Sequence, residues 1–259
     1  MIGHRRGYNL KRSWSNGAMH DVVFLFDVDN TLLDNDRVHR DLSDHLAINY
    51  GQDARDRYWA LFEDLRRTLG YADHLGTLQR YRLETPHNPK ILRIANWLAD
   101  YPFADRLYPG ALDVVRHLGA WGPTAILSDG DAAFQPLKVE RSGLWQAFAD
   151  NVLIYVHKEL ALDDVERLYP ARRYVMIDDK LRILEALKDQ WGERVTTVFP
   201  RQGHYAFDPE EIRKRKPADI SVDAIGDLLS FGRERFPGLP LSPSLPYISN
   251  QETGSCQCS

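Results

Sequence analysis

Cysteine is almost absent from this chain: 2 residues in 259, Cys256 and Cys258, both among the last four. No disulfide framework can therefore hold the fold, and no thiolate cluster can hold zinc. No apolar run approaches the roughly 20 residues that a membrane helix needs, so no membrane partner is expected. An excess of positive charge is also missing. Lys and Arg number 33 against 37 Asp and Glu, a formal net charge of −4. That balance offers no global attraction to a polyanion, and no nucleic-acid partner is expected. His4, Arg5 and Arg6 stand near the start, but no apolar stretch follows them, so the segment does not read as a secretory signal. A reducing, cytoplasmic setting is the simplest expectation.

What is present suffices for a folded core. Hydrophobic residues make up 43% and aromatics 11%, which excludes a wholly disordered chain. The length suits one large domain, or one domain carrying an insertion. Residues 1–18 are polar, basic and without period, and read as a leader outside the fold. Residues 237–259 are rich in Pro, Ser and Gly and read as a disordered tail. The final Cys256-Gln257-Cys258-Ser259 has the outline of a prenylation box. Its two middle positions are not aliphatic, so the match reads as coincidence.

Between these ends, short apolar runs alternate with helical patterns. Val22-Val23-Phe24-Leu25-Phe26 is continuous and rich in β-branched and aromatic residues, as in a strand buried on both faces. Similar runs occur at residues 124–127, 152–156, 174–177 and 195–199. Helical spacing joins Ala111, Val114, Val115 and Leu118, and again Leu181, Ile183, Leu184 and Leu187. This alternation predicts an α/β fold: a Rossmann-like, doubly wound parallel sheet over residues 19–34 and 109–236. Residues 35–108 break the pattern. Leu42, Leu46 and Tyr50, then Tyr58, Leu61, Phe62, Leu65 and Leu69, then Ile91, Leu92, Ile94, Ala95 and Leu98 all follow a helical period. An inserted helical cap is expected there, hanging from the carboxyl end of the first strand, where open α/β sheets bind ligands. Extra packing helices without a lid role are the alternative.

The chemistry sits where strands end. Asp27 and Asp29 follow five apolar residues, and two carboxylates there are costly unless solvated or paired with a cation. In an extended chain residues i and i+2 face the same side, so the pair can converge. Taken alone, the Asp-rich stretch reads equally well as a turn. It does not stand alone. Ser128-Asp129-Gly130 ends the second strand, His157-Lys158 follows the third, and Asp178-Asp179 ends the fourth. A parallel sheet brings all of these to one edge. Four carboxylates, a hydroxyl and an ammonium in one cleft call for a divalent cation, and oxygen-rich ligation suits magnesium.

Asp27-Val28-Asp29-Asn30-Thr31-Leu32-Leu33, Ser128, Lys158 and Asp178-Asp179 together resemble the four motifs of the haloacid dehalogenase (HAD) superfamily, in order and approximate spacing. The insertion after the first motif resembles the helical, type-1 cap of that superfamily. The resemblance spans about residues 19–236 and implies an enzyme, a phosphoric monoester hydrolase. It implies Asp27 as a nucleophile that becomes phosphorylated and also meets the metal, and Asp29 as the general acid/base whose backbone carbonyl meets the metal too. Ser128 and the backbone N–H of Asp129 would bind phosphoryl oxygens, and Lys158 would neutralise charge on Asp27 and the phosphoryl group. Asp178 would bind Mg2+ directly; Asp179 would bind it, or a water on it. Thr31 would fix the turn. The dehalogenases proper lack an acid two residues after the nucleophile, so Asp29 favours phosphoryl transfer to water from a small phosphorylated metabolite. A phosphomutase, a 2-haloacid dehalogenase and a non-catalytic binding protein of the same fold are the alternatives.

Other residues read more plainly. His157 reads as packing its loop. For Arg201 and His204 on the functional edge, leaving-group contact and loop anchoring both remain open. Arg213 to Lys216 reads as a solvated helix end, and the tryptophans as core or interface residues.

Overall fold

A computed structural model describes residues 19–239. The leader reading of residues 1–18, and the tail and prenylation-box readings beyond residue 239, lie outside the described residues. The chain runs β1 (His20–Phe26), α1 (Asn35–Tyr50), α2 (Gln52–Leu69), α3 (His74–Glu84), α4 (Leu92–Asp100) and α5 (Ala111–Gly119). It continues through β2 (Thr124–Asp129), α6 (Phe134–Arg141), α7 (Leu144–Ala147), β3 (Val152–Tyr155) and α8 (Leu162–Leu168). It ends with β4 (Ala171–Ile177), α9 (Leu181–Trp191), β5 (Val195–Pro200), α10 (Pro209–Lys214) and β6 (Ile220–Val222).

The six strands form one sheet in the order β3-β2-β1-β4-β5-β6, every neighbouring pair parallel. The side-chain period of two explains the layering. Val22, Phe24 and Phe26 of β1 join one apolar cluster, and Val23 and Leu25 join the other. Val114 and Leu118 of α5 cover the first face, and Ile183, Leu184 and Leu187 of α9 cover the second. A strand buried on both sides has no use for polar alternation, and this is why β1 reads as a continuous apolar run.

From β1 the chain moves outward through β2 to β3, then returns to lay β4 on the other side of β1. The order reverses between β1 and β4, and such a switch point leaves a crevice at the strands' carboxyl ends. Phe26 pairs with Ile177, so Asp27 and Asp178 leave the sheet side by side.

Helices α1 to α4 fill the insertion between β1 and β2. Leu42, Tyr58, Phe62 and Phe103 belong to the same apolar cluster as Phe24 and Phe26, so the insertion packs continuously with one face of the sheet. The Asp34 carboxylate caps α1 by accepting from the Arg37 N–H at 2.8 Å, and Gly70 closes α2 in the left-handed conformation. A Cβ on Gly70 would stand 2.4 Å from Cε1 of His157, so only glycine lets this helix end meet the loop after β3. His157 thus packs its loop, as its sequence context suggests.

Four details differ from the sequence reading. Helix α3 was not anticipated; His-Leu-Gly-Thr-Leu-Gln carries little apolar period. Strand β6 is only three residues long, too short to show a pattern. Leu239 is buried and the Pro237 carbonyl accepts from Thr196 Oγ1 at 3.1 Å, so the fold continues past the expected tail boundary at 237. Leu92, expected on an apolar face, is 53% exposed at the start of α4.

Candidate active site

Asp27, Asp178 and Asp179 sit at the switch point, all buried, each offering a carboxylate oxygen within 4.8 Å of the others'. The Lys158 ammonium, fully buried, lies 2.6 Å from Asp27 Oδ1 and 2.6 Å from Asp178 Oδ2. Ser128 Oγ donates to Asp27 Oδ1 at 3.4 Å. The sheet edge therefore assembles Asp27, Ser128, Lys158, Asp178 and Asp179 as expected. Asp129 places its carboxylate elsewhere: its Oδ1 accepts from the Lys158 backbone N–H at 2.7 Å and fixes the start of the lysine's turn.

Asp29 does not join this cluster. The strand ends at Phe26, before either Asp of the first motif, and the three-carboxylate group holds Asp27 without Asp29. The Asp29 carboxylate turns to the Lys138 ammonium, at 2.6 and 2.8 Å.

The loop carrying these aspartates is braced from several sides. Thr31 Oγ1 accepts from the Asp179 N–H at 3.0 Å, tying the first motif to the fourth. Buried Gln202 donates to the Thr31 carbonyl at 3.1 Å. Asn30 Nδ2 donates to Asp36 Oδ1 at 3.0 Å, and Asp36 Oδ2 accepts from the His204 N–H at 2.8 Å. His204 is therefore anchored to the root of α1, and its Nδ1 lies 2.7 Å from Asp36 Oδ1. Arg201 pairs with Asp223, which anchors the loop after β5. Of Arg213 to Lys216, Arg213 pairs with Glu210, and Arg215 and Lys216 meet Glu185.

The electrostatics of the cluster are lopsided. Three carboxylates face the Lys158 ammonium, with Lys180 beside Asp179, which leaves one formal negative charge uncompensated. Burial pushes Asp178 up to about 6 against the pull of Lys158. Burial likewise holds Asp179 well above the usual carboxylate range, against the nearby Lys180. Burial alone would lower Lys158, but Asp178 and Asp27 hold it above its ordinary value. Asp27 Oδ2 and both oxygens of Asp179 are buried without a hydrogen-bond partner among the described residues. Orphaned carboxylate oxygens so close together fit a hard divalent cation, which would satisfy them and cancel the surplus charge.

A cleft of about 990 Å3 lies between the helical insertion and the sheet edge. Asp29, Asp129 and Lys180 line it from the sheet side, and His39 and Arg66 from the insertion. Arg66 Nη1 donates to Tyr205 OH at 2.8 Å, joining α2 to the loop after β5. Lys180 Nζ stands 5.5 Å over the same tyrosine ring. Sequence reasoning missed Lys138 and Lys180. A lysine on an amphipathic helix, or at a helix start, looks like any solvated charge.

Behind the cleft wall, His74 is buried with Nδ1 2.8 Å from Tyr58 OH and its ring 5.3 Å from that of His39. Burial holds His74 well below its ordinary value, and pulls His39 down to about 3. The folded state thus prefers neutral imidazoles. That contribution is complete above the unfolded value near 6.5 and shrinks as pH falls below it. For His74 a loss of stability is expected between pH 7 and pH 5. Urea unfolding of the wild type and of His74→Gln at both pH values measures it. The stability gap between the two should move against the wild type at pH 5, and a constant gap would show that His74 accepts its proton without cost.

The fold and the motif geometry define a hydrolase class, and comparison with known proteins agrees. Residues 22–190 match the sequence profile of the haloacid dehalogenase-like hydrolases. The chain belongs to this family. A Burkholderia xenovorans protein assigned as a haloacid dehalogenase-like hydrolase is 61% identical, with 83% of this chain and 98% of that one covered and a TM-score of 0.80. The L-2-haloacid dehalogenase of Xanthobacter autotrophicus shares the fold at 20% identity and a TM-score of 0.52, over 82% of this chain and 97% of that one. The Bacillus subtilis HAD-hydrolase YfnB, solved with magnesium, shares it at 16% identity and a TM-score of 0.53, over 82% and 100%. Among curated proteins none matches the chain. No described helix is long and apolar enough to cross a membrane.

Proposed function

We propose that the protein is a magnesium-dependent phosphatase that hydrolyses a small phosphorylated metabolite through a phosphorylated Asp27. The observation that carries this reading is the buried triad of Asp27, Asp178 and Asp179 with its orphaned oxygens. A carbon–halogen displacement by Asp27 has no need of such surplus negative charge, which would repel the carboxylate of a 2-haloacid. A phosphoryl group arriving with a divalent cation makes use of it.

Asp27, Asp178 and Asp179 would hold Mg2+, with the Asp29 backbone carbonyl. When bound, the ion supplies charge neutralisation to the transferring phosphoryl oxygens. The chain's own groups do the rest. An Asp27 oxygen attacks phosphorus while the bond to the leaving oxygen breaks, and Asp29 gives that oxygen its proton. Water then attacks phosphorus, passes a proton to Asp29, and the Asp27–phosphorus bond breaks. Ser128 Oγ would donate to a phosphoryl oxygen, joined by the Asp129 N–H. Lys158, already between Asp27 and Asp178, holds positive charge where negative charge builds up. The helical insertion would act as the lid over the cleft, closing water out and choosing the leaving group.

Two assays on one preparation test the reading. With magnesium, p-nitrophenyl phosphate should be turned over and 2-chloropropionate should release no halide. Halide release without phosphate release would transfer Asp27 to dehalogenase chemistry. Inertness toward both, together with a phosphate-ester panel, would favour a binding protein.

A further inference from the structure

Lys138 is 3% exposed at its side chain, and its ammonium has three acceptors in reach. Two are the Asp29 oxygens at 2.6 and 2.8 Å, and the third is Asn35 Oδ1 at 3.0 Å. An ammonium has three N–H donors, so its capacity is fully used. The dependence runs both ways, because the Asp29 side chain has no other hydrogen-bond partner among the described residues. The helix that carries Lys138 has a second link to the site. Gln135, one turn earlier on α6, donates from Nε2 to Ser128 Oγ at 3.1 Å. Positions i and i+3 share a helix face, so α6 presents Gln135 to Ser128 and Lys138 to Asp29. Asp131 Oδ1 accepts from the N–H groups of Ala133 and Phe134 at 2.8 and 2.6 Å and fixes the start of that helix.

We propose that Lys138 is the positioning residue for Asp29, fixing the acid/base carboxylate from the rigid frame of α6 while Asn35 ties that contact to the root of the helical insertion. The proposal rests on the phosphatase reading. The proton that reaches the leaving oxygen comes from Asp29, and the proton of the attacking water returns there. Lys138 governs where that carboxylate stands. A carboxylate on a loop left without its sole partner samples other rotamers, and proton transfer is lost in proportion.

The test is a double-mutant cycle of Lys138→Met and Asp29→Asn, run with p-nitrophenyl phosphate and with ethyl phosphate. The aryl oxygen leaves with little help, whereas the alkyl oxygen needs a proton. Lys138→Met should lower kcat about a hundredfold for ethyl phosphate and about tenfold for p-nitrophenyl phosphate, with KM within about threefold. In the Asp29→Asn background the same change should cost less than about twofold, because its target is gone. That double variant carries no unpaired charge at the pair, which protects its folding. Lys138→Gln, which keeps a donor, should recover part of the loss. Equal losses with both esters, or losses that multiply in the double variant, would overturn the positioning role while leaving the phosphatase intact. A wild type inert toward both esters would instead defeat the phosphatase reading, and this role with it.

Discussion

Asp27→Asn should lower phosphatase turnover at least about a thousandfold, a loss of roughly 4 kcal/mol in transition-state stabilisation. The amide keeps the shape of the side chain and can still accept from Lys158 at its Oδ1, now 2.6 Å away. What it lacks is the attacking charge. The fold should survive. Asp27 shares a buried site with Asp178 and Asp179, and removing one of three like charges relieves repulsion there. Initial rates with p-nitrophenyl phosphate and magnesium, beside a melting curve, separate the two effects. A well-folded variant that turns over within tenfold of wild type would remove Asp27 from the role of nucleophile. Lys158 would then have to be reconsidered as the group the site is built around.

Chelation should be nearly as severe. Excess EDTA is expected to reduce turnover more than about a hundredfold, and magnesium to restore it. Calcium should restore it poorly, because it takes more ligands at longer distances and shifts the nucleophile relative to phosphorus. The same cluster offers a readout without activity. Magnesium should raise the melting temperature, and saturation at a hundred times its dissociation constant corresponds to about 2.7 kcal/mol. In chelator, Asp178 has a folded value raised to about 6, so its contribution is present below the unfolded value and fades as pH rises through 6. Magnesium should therefore stabilise more at pH 7 than at pH 5. Asp178→Ala should abolish most of that gain. A melting temperature indifferent to magnesium at pH 7, with activity undiminished in chelator, would mean that the orphaned oxygens serve something other than a cation.

Much of this site is legible in the sequence. Strand ends announced themselves because a sheet buried on both faces needs unbroken apolar runs, and charged residues straight after such runs have few cheap explanations. Asp27, Asp178 and Asp179 stand out that way, Ser128 and Lys158 by their places at the next two strand ends, and the structure brings all five to one edge. The insertion was legible for the same reason, since Leu42, Leu46, Tyr58 and Phe62 repeat at a helical interval. Helix α3 escaped because its buried positions include His74 and Thr77 beside Leu78 and Tyr81, which no apolar period reveals. Strand β6 escaped because three residues carry no period at all.

By itself the sequence determined the order of strands and helices, the place of the insertion and the residue types at each strand end. These are local properties, set by side-chain period and by the cost of burying charge. The tertiary structure alone decided which charges meet. Asp27 and Asp29 are neighbours in the chain, yet one is held by Lys158, 131 positions away, and the other by Lys138, 109 positions away. Nothing local selects between those lysines. The choice follows from the reversal of strand order beside β1 and from the helix face on which α6 carries Lys138. Coulomb energy depends on distance in space, and only the packed chain fixes that distance.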